Sequence, residues 1–307
     1  MYEHCCLCPR LCGSNRFSGN NGYCGESAEL QLAFAGLHYG EEPPLSGSGG
    51  SGTVFVSGCN LGCKLCQNWQ ISGRKNRLGR PVSTDEFAAI CLALQKRGAE
   101  NVNIVTGSHA VPAIVQGLAA AKTAGLAIPV LWNSSAYENV AALKLLAGSI
   151  DVFLPDLKTL DAGLAAKFFN APDYPQAAAS AIRWMIDESG KPVIIRHLIL
   201  PGFLESTRSV LRWFAENAIG RNAQLSLMSQ YTPIPDSSEN SPIRFVSKKE
   251  YDTVIGWLEE FGIEEGFCQE LHTGNEWLPD FTRGNPFSSK ISVPVWHYAS
   301  GIIEKMD

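Results

Sequence analysis

Residues 53–68 read Thr53-Val54-Phe55-Val56-Ser57-Gly58-Cys59-Asn60-Leu61-Gly62-Cys63-Lys64-Leu65-Cys66-Gln67-Asn68. The first four have the β-branched and aromatic character of a strand. Cys59, Cys63 and Cys66 follow in the pattern Cys-x3-Cys-x2-Cys. Three thiolates this close can hold three irons of a [4Fe–4S] cluster, and no fourth cysteine follows within reach to cap the last iron. Clusters that only carry electrons are held by four cysteines. An open iron offers a place where a substrate can coordinate, as a catalytic zinc keeps one position free. The motif therefore points to an enzyme, with a zinc site as the plainer use of the same residues.

Outward from the motif, strands and helices alternate. Strands are expected at 53–56, 101–105, 129–132, 150–154, 193–200 and 224–229. Between them, Ser83-Thr84-Asp85-Glu86 has capping-box spacing, and Phe87, Ile90, Cys91 and Leu94 share one helical face. Val111, Ile114, Val115 and Leu118 mark the next helix, and helical stretches recur at 138–146, 160–189, 205–217 and 247–261. Strand–helix alternation implies parallel units with right-handed crossovers. The fold class expected is α/β, a partial (β/α)6 TIM-type barrel with the motif at its C-terminal mouth, where active sites gather.

The barrel takes residues 53–263. Residues 1–39 are expected to form a cysteine-rich metal-binding module, 40–52 a Pro/Gly/Ser-rich connector, and 264–307 an irregular closing segment. The net charge of −5 favours neither a nucleic-acid nor an anionic-membrane partner. No apolar run reaches the roughly 18 residues of a membrane span, and the first residues do not resemble a signal peptide.

Of the 10 cysteines, Cys5, Cys6, Cys8, Cys12 and Cys24 crowd the N-terminus. Clustered cysteines in a chain without a secretion signal indicate metal binding rather than disulfides. A cytoplasmic, oxygen-sensitive protein working in an anaerobic pathway is expected. Cys5, Cys8, Cys12 and Cys24 suit either a second, closed [4Fe–4S] cluster or a structural Zn²⁺. Cys6 is a spare neighbour, and Cys91 lies on an apolar helix face.

The motif, its place after the first strand and the strand–helix series resemble the radical SAM superfamily. More narrowly the chain resembles pyruvate formate-lyase-activating enzymes and a related branch with an N-terminal cysteine-rich module. The likeness is carried by Cys5-Cys6-Leu7-Cys8-Pro9-Arg10-Leu11-Cys12-Gly13-Ser14-Asn15-Arg16, Gly58-Cys59-Asn60-Leu61, Leu154-Pro155-Asp156-Leu157-Lys158, Ala171-Pro172-Asp173-Tyr174-Pro175, Arg196-His197-Leu198-Ile199-Leu200-Pro201-Gly202 and Trp277-Leu278-Pro279-Asp280-Phe281. The resemblance implies a [4Fe–4S] cluster on Cys59, Cys63 and Cys66 that reductively cleaves S-adenosylmethionine (SAM). The resulting 5′-deoxyadenosyl radical then abstracts hydrogen from a substrate. It further implies an electron donor such as flavodoxin or ferredoxin. The substrate is left open between a glycyl residue of a partner enzyme, as in the activating enzymes, and a small molecule or another macromolecule. A non-catalytic iron–sulfur carrier or scaffold is the reading from outside enzymology.

Two stretches depart from the superfamily pattern. Leu65 stands where many members have an aromatic residue, and Thr106-Gly107-Ser108-His109 replaces the usual Gly-Gly-Glu. SAM is therefore expected to be held with altered contacts, from Thr106, Gly107 and Ser108. Asn133 and Ser135 follow the third strand, where ribose hydroxyls or the SAM carboxylate could be met. Asp156 and Lys158 end the fourth strand on one face, and the resemblance places that pair near SAM. Adjacent strand residues point oppositely, so one of Arg196 and His197 faces inward. Arg196 is expected there, because a planar guanidinium suits a carboxylate. Gln230-Tyr231, Gln269-Glu270, Trp277 and Asp280 are candidates for shaping the substrate site.

Overall fold

A computed structural model describes residues 1–19, 21–74, 77–234 and 241–303. Its strands are β1 (Leu30–His38), β2 (Ser51–Val56), β3 (Arg80–Val82), β4 (Asn101–Val105), β5 (Val130–Ser134), β6 (Val152–Pro155), β7 (Val193–Leu198), β8 (Ala223–Met228), β9 (Gly266–Cys268), β10 (Ser292–His297) and β11 (Gly301–Ile302). Its helices are α1 (Pro43–Ser46), α2 (Trp69–Ser72), α3 (Thr84–Lys96), α4 (Val111–Thr123), α5 (Val140–Leu146), α6 (Ala162–Phe169), α7 (Tyr174–Asp187), α8 (Leu204–Asn217) and α9 (Lys248–Glu260).

The six expected barrel strands are β2, β4, β5, β6, β7 and β8, hydrogen-bonded in that order and parallel throughout. The path continues at both ends. The short β9 pairs parallel with β8. A side chain at Gly266 would put its Cβ 2.3 Å from the Leu225 carbonyl, so glycine permits that pairing. At the other edge β1 runs antiparallel to β2, and β10 antiparallel to β1. The fold is a partial barrel extended beyond six strands. Leu30–His38 belongs to this sheet although it falls within 1–39. The strand is buried almost end to end, which hides the alternation that marks half-exposed strands. Within 264–307, β9 and β10 add strand order to a segment expected to be irregular; its last four residues lie outside those described.

Local chemistry sets several boundaries. The Ser83 side chain accepts from the Glu86 backbone N–H, which caps α3. The Glu86 carboxylate instead pairs with Arg80, so only half of the expected capping box forms there. The full box is at α9, between Ser247 and Glu250. Phe87, Ile90, Cys91 and Leu94 are buried against the sheet as their spacing predicts. No helix among the described residues is long and apolar enough to cross a membrane.

Candidate SAM and cluster site

The C-terminal ends of the parallel strands open on a cavity of about 510 Å³. Cys59, Cys63 and Cys66 line it, on the loop that leaves β2. Gly58 at φ +82° and Gly62 at φ +85° give that loop turns that L side chains resist. A Cβ at Gly58 would also strike the Glu26 carboxylate at 2.4 Å, and Glu26 pairs with Arg77 at 2.6 Å. Two of the sulfurs accept donors: Leu61 N–H to Cys59 Sγ at 3.4 Å and Ser72 Oγ to Cys66 Sγ at 3.2 Å. Burial pushes the Cys63 thiol well up, with Lys158 pulling the other way, and burial raises Cys66 too. A bound metal cluster would overcome that preference for the thiol.

Asp156 and Lys158 face this loop, with Nζ to Oδ2 at 2.5 Å. The pair is held by Tyr174, whose hydroxyl donates to the Asp156 carbonyl at 2.7 Å and accepts the Lys158 N–H at 2.9 Å. Tyr137 donates to Asp173 at 2.9 Å. The Ala171–Pro175 stretch thus works by fixing the end of β6. Thr106, Asn133 and Ser135 also line the cavity. Thr106 sits at φ +65°, a left-handed turn that a β-branched residue enters at a cost.

Gly107 and Ser108 are not brought to the cavity. A Cβ at Gly107 would meet Trp132 at 2.5 Å, so this residue is packed against the barrel wall. Ser108 Oγ donates to Glu138 at 2.8 Å, as do Trp132 Nε1 and Ser134 Oγ. Glu138 is fully buried, and burial raises its pKa against those three donors. Nothing local in the sequence marks Glu138 as the hub of this turn. His109 is likewise structural. Its Nε2 meets the Ser57 carbonyl at 2.8 Å, and burial pushes its pKa down to about 3.

Arg196 faces inward and lines the cavity, as alternation requires. The carboxylates it serves belong to the chain: Nε donates to Glu42 at 2.9 Å, and Nη2 pairs with both Glu41 and Glu42. Its Nε and Nη2 are therefore engaged by the chain's own carboxylates, where a cofactor carboxylate was expected. His197 points the other way, to the Leu157 carbonyl at 2.7 Å and Thr207 Oγ1 at 3.0 Å. Gln230, Tyr231, Gln269 and Trp277 line the cavity, whereas Asp280 accepts from Gln70 Nε2 at 3.0 Å. Glu41, Glu42 and His38 line it too. Sequence reasoning missed them because they lie in and beside an apparent connector.

In the N-terminal segment Cys5, Cys8 and Cys24 are buried, and Cys6 and Cys12 are exposed. Cys24 Sγ and Cys12 Sγ flank Gly22, at 3.3 and 3.5 Å from where its Cβ would stand. Cys5 Sγ accepts from Arg16 Nη1 at 3.9 Å, and Cys8 accepts from the Asn60 side chain. Among the described residues no group of three or more His, Cys, Asp or Glu side chains is already gathered into a metal cage. The donor sets nevertheless differ in kind. Cys59, Cys63 and Cys66 share one cavity with room beside them, which suits an incompletely ligated cluster. The N-terminal cysteines are not among the residues that line this cavity.

Comparison with known proteins agrees with this geometry. A family model described as the radical SAM superfamily matches residues 53–214, more than half of the chain. An uncharacterized protein of Methanocaldococcus jannaschii is 29% identical over 271 residues, covering 86% of this chain and 77% of its own length. Among solved structures, SuiB of Streptococcus suis aligns with TM-score 0.50 and 18% identity over 70% of this chain and 47% of that one. The FeFe-hydrogenase maturase HydG of Carboxydothermus hydrogenoformans aligns with TM-score 0.50 and 12% identity, over 68% of this chain and 50% of that one. The chain thus spans about half the length of these solved proteins, and the likeness to them is one of fold.

Proposed function

The chain belongs to the radical SAM superfamily, and from that premise we propose that it is an enzyme using a [4Fe–4S] cluster and SAM to remove hydrogen from a small-molecule substrate. The observation that carries this reading is the convergence of Cys59, Cys63 and Cys66 with the Asp156–Lys158 pair on one cavity at the strand ends. When bound, the cluster and SAM supply a 5′-deoxyadenosyl radical. The three cysteines would hold three irons. Lys158 places a positive charge near Cys63, where it offsets the negative charge of a thiolate-bound cluster. Asn133, Thr106 and Ser135 offer hydroxyl and amide groups to the polar parts of SAM. Leu65, Leu198 and Met228 give the cavity an apolar wall.

We favour a small-molecule substrate over a partner's glycyl loop because the cavity has a charged floor and carries a residue of the 264–307 segment on its wall. Glu41, Glu42 and Arg196 form its floor, and Trp277 of the 264–307 segment lies against Gly40 and His38. Cys5, Cys8, Cys12 and Cys24 are proposed to hold a second metal, as either a closed cluster or Zn²⁺. A low-potential donor such as flavodoxin or ferredoxin would supply electrons in a reducing cytoplasm.

Anaerobic reconstitution followed by iron, sulfide and zinc quantification, with a 5′-deoxyadenosine assay under dithionite, tests this reading. Replacing Cys59, Cys63 and Cys66 together by alanine is expected to remove about four irons and abolish 5′-deoxyadenosine formation. Absence of SAM cleavage by the iron-replete wild type would sink the proposal. Labelling of a glycyl partner would return the activase reading.

A further inference from the structure

The loop between β1 and β2 closes the barrel at the end opposite the cluster loop. Its Ser48 and Gly49 N–H groups bond Glu100, and the Leu45 carbonyl accepts from Asn101, at the start of β4. From this loop Glu41 and Glu42 reach the interior, where their side chains are only 12% and 6% exposed. Arg196 brings one positive charge to these two carboxylates. Lys158 does not correct the imbalance, because it is paired with Asp156. The charged groups lining the cavity, among the described residues, are thus three carboxylates against two cations. Glu42 takes one edge of the guanidinium, Nε and Nη2, on its two oxygens, and Ser226 hydrogen-bonds it as well. Glu41 shares one Arg196 nitrogen and takes Asn103 Nδ2 at 3.2 Å on its other oxygen. The surplus charge rests on the Glu41 side.

His38 supplies a second, independent observation. It is 8% exposed and lines the same floor. Its Nδ1 accepts the Gly40 N–H at 3.2 Å, so in the neutral ring the proton sits on Nε2. That Nε2–H meets no partner among the described residues. Burial, opposed by Glu41 and aided by Arg196, keeps the ring pKa below its usual value, so it stays a neutral donor. Beside it lies the Trp277 ring, at 6.2 Å between centroids. Any Cβ at residue 40 would stand 2.2 Å from that indole, so glycine there is what admits the ring.

We propose that Glu41, His38 and Trp277 form a subsite for a small substrate with a cationic nitrogen, an ammonium or guanidinium. The cation seats against Glu41 and the Trp277 face, and a neighbouring acceptor atom of the substrate takes the His38 Nε2 proton. The subsite deepens the proposed function and rests on it, since it names the substrate class of the same cavity. A surplus carboxylate whose side chain is only 12% exposed is costly, and a ligand cation removes that cost.

The test titrates cluster-loaded, SAM-bound protein, without reductant, by calorimetry. The probes are L-lysine, L-arginine, putrescine and agmatine, with norleucine and citrulline as counterparts that lack the side-chain cation and 1,4-butanediol as the uncharged counterpart of putrescine. At least one cationic probe is expected to bind tenfold or more tightly than its counterpart, and to raise 5′-deoxyadenosine formation once dithionite is added. Glu41→Gln is expected to erase the preference. Glu42→Gln frees Arg196 to balance Glu41 alone, so it should erase it too, and one of the two folded variants suffices. Equal or absent binding of charged and uncharged probes, or a preference that survives both substitutions, would overturn the subsite. So would binding confined to the same side chains within blocked peptides. Because the preference is read without turnover, failure of SAM cleavage would count against the radical chemistry and not against the subsite.

Discussion

Arg10 donates from Nε to the backbone carbonyl of Asn60 at 2.9 Å, tying the N-terminal segment to the residue after the first motif cysteine. Its Nη2 reaches the Leu61 carbonyl at 2.7 Å, and the guanidinium lies 3.9 Å from the Tyr23 ring centroid and 5.1 Å from that of Tyr137. The loop that carries Cys59, Cys63 and Cys66 is therefore shaped partly by a distant stretch of chain. Arg10→Met keeps bulk but loses both hydrogen bonds, at about 3–6 kcal/mol for two bonds from a charged donor. The expected outcome is a lower melting temperature and less iron retained after anaerobic desalting. Wild-type iron content in the variant would show that the loop holds its shape unaided.

Thr106 trades stability for a hydroxyl at the cavity. At φ +65° a threonine is strained by about 1 kcal/mol or more, and glycine is not. Thr106→Gly is therefore expected to raise the melting temperature by a few degrees. The same change should weaken SAM binding about threefold to tenfold, read by equilibrium dialysis. A variant that is both less stable and unchanged in affinity would refute the trade.

Glu138 makes stability depend on pH in a definite direction. Its folded pKa lies above the ordinary value of 4.5 because burial outweighs the donors from Ser134, Ser108 and Trp132. Between the unfolded value and the raised folded one, the native chain binds the proton more tightly, so stability falls as pH rises through that window. Below the unfolded value the contribution is fully present. Glu138→Gln cannot titrate, so the wild-type advantage over it should shrink from about pH 4.5 upward. Melting curves across that range check this, and parallel profiles would argue against it.

Lys158 acts by its charge on two of the motif cysteines, Cys63 and Cys66. Burial alone would lower its pKa, but Asp156 and then Cys63 overcome that and raise it, so it stays charged. Lys158→Met leaves Asp156 unpaired beside Cys63. The expected result is a loss of 5′-deoxyadenosine formation of at least about tenfold, ~1.4 kcal/mol, with the iron content kept. Simultaneous loss of iron would instead assign Lys158 to cluster assembly.

Much of the barrel was legible because its signals are local. Four-to-six-residue apolar strands, the helix caps and the Cys-x3-Cys-x2-Cys run each declare themselves within one window of sequence. Polar residues just past strand ends could be placed at the cavity mouth by alternation alone, and Thr106, Asn133, Ser135, Asp156 and Lys158 all reach it. β1 escaped notice because it is buried almost throughout and so shows no clean alternation, and β9 because three residues carry no period. Ser108 was expected at SAM and serves Glu138, since a turn's hydrogen-bond partner is not written in the turn.

By itself, then, the chain's sequence determined the α/β class, the cysteine loop after the first barrel strand and the face on which Arg196 lies. Only the tertiary structure decided what Arg196 meets there. Its partners Glu41 and Glu42 stand 155 and 154 residues away in the chain, and sheet closure alone brings them together. Propensity and periodicity act over a few residues, whereas the pairing of buried charges depends on which loops plug which end of the barrel. That long-range pairing turned an apparent connector into the floor of the cavity.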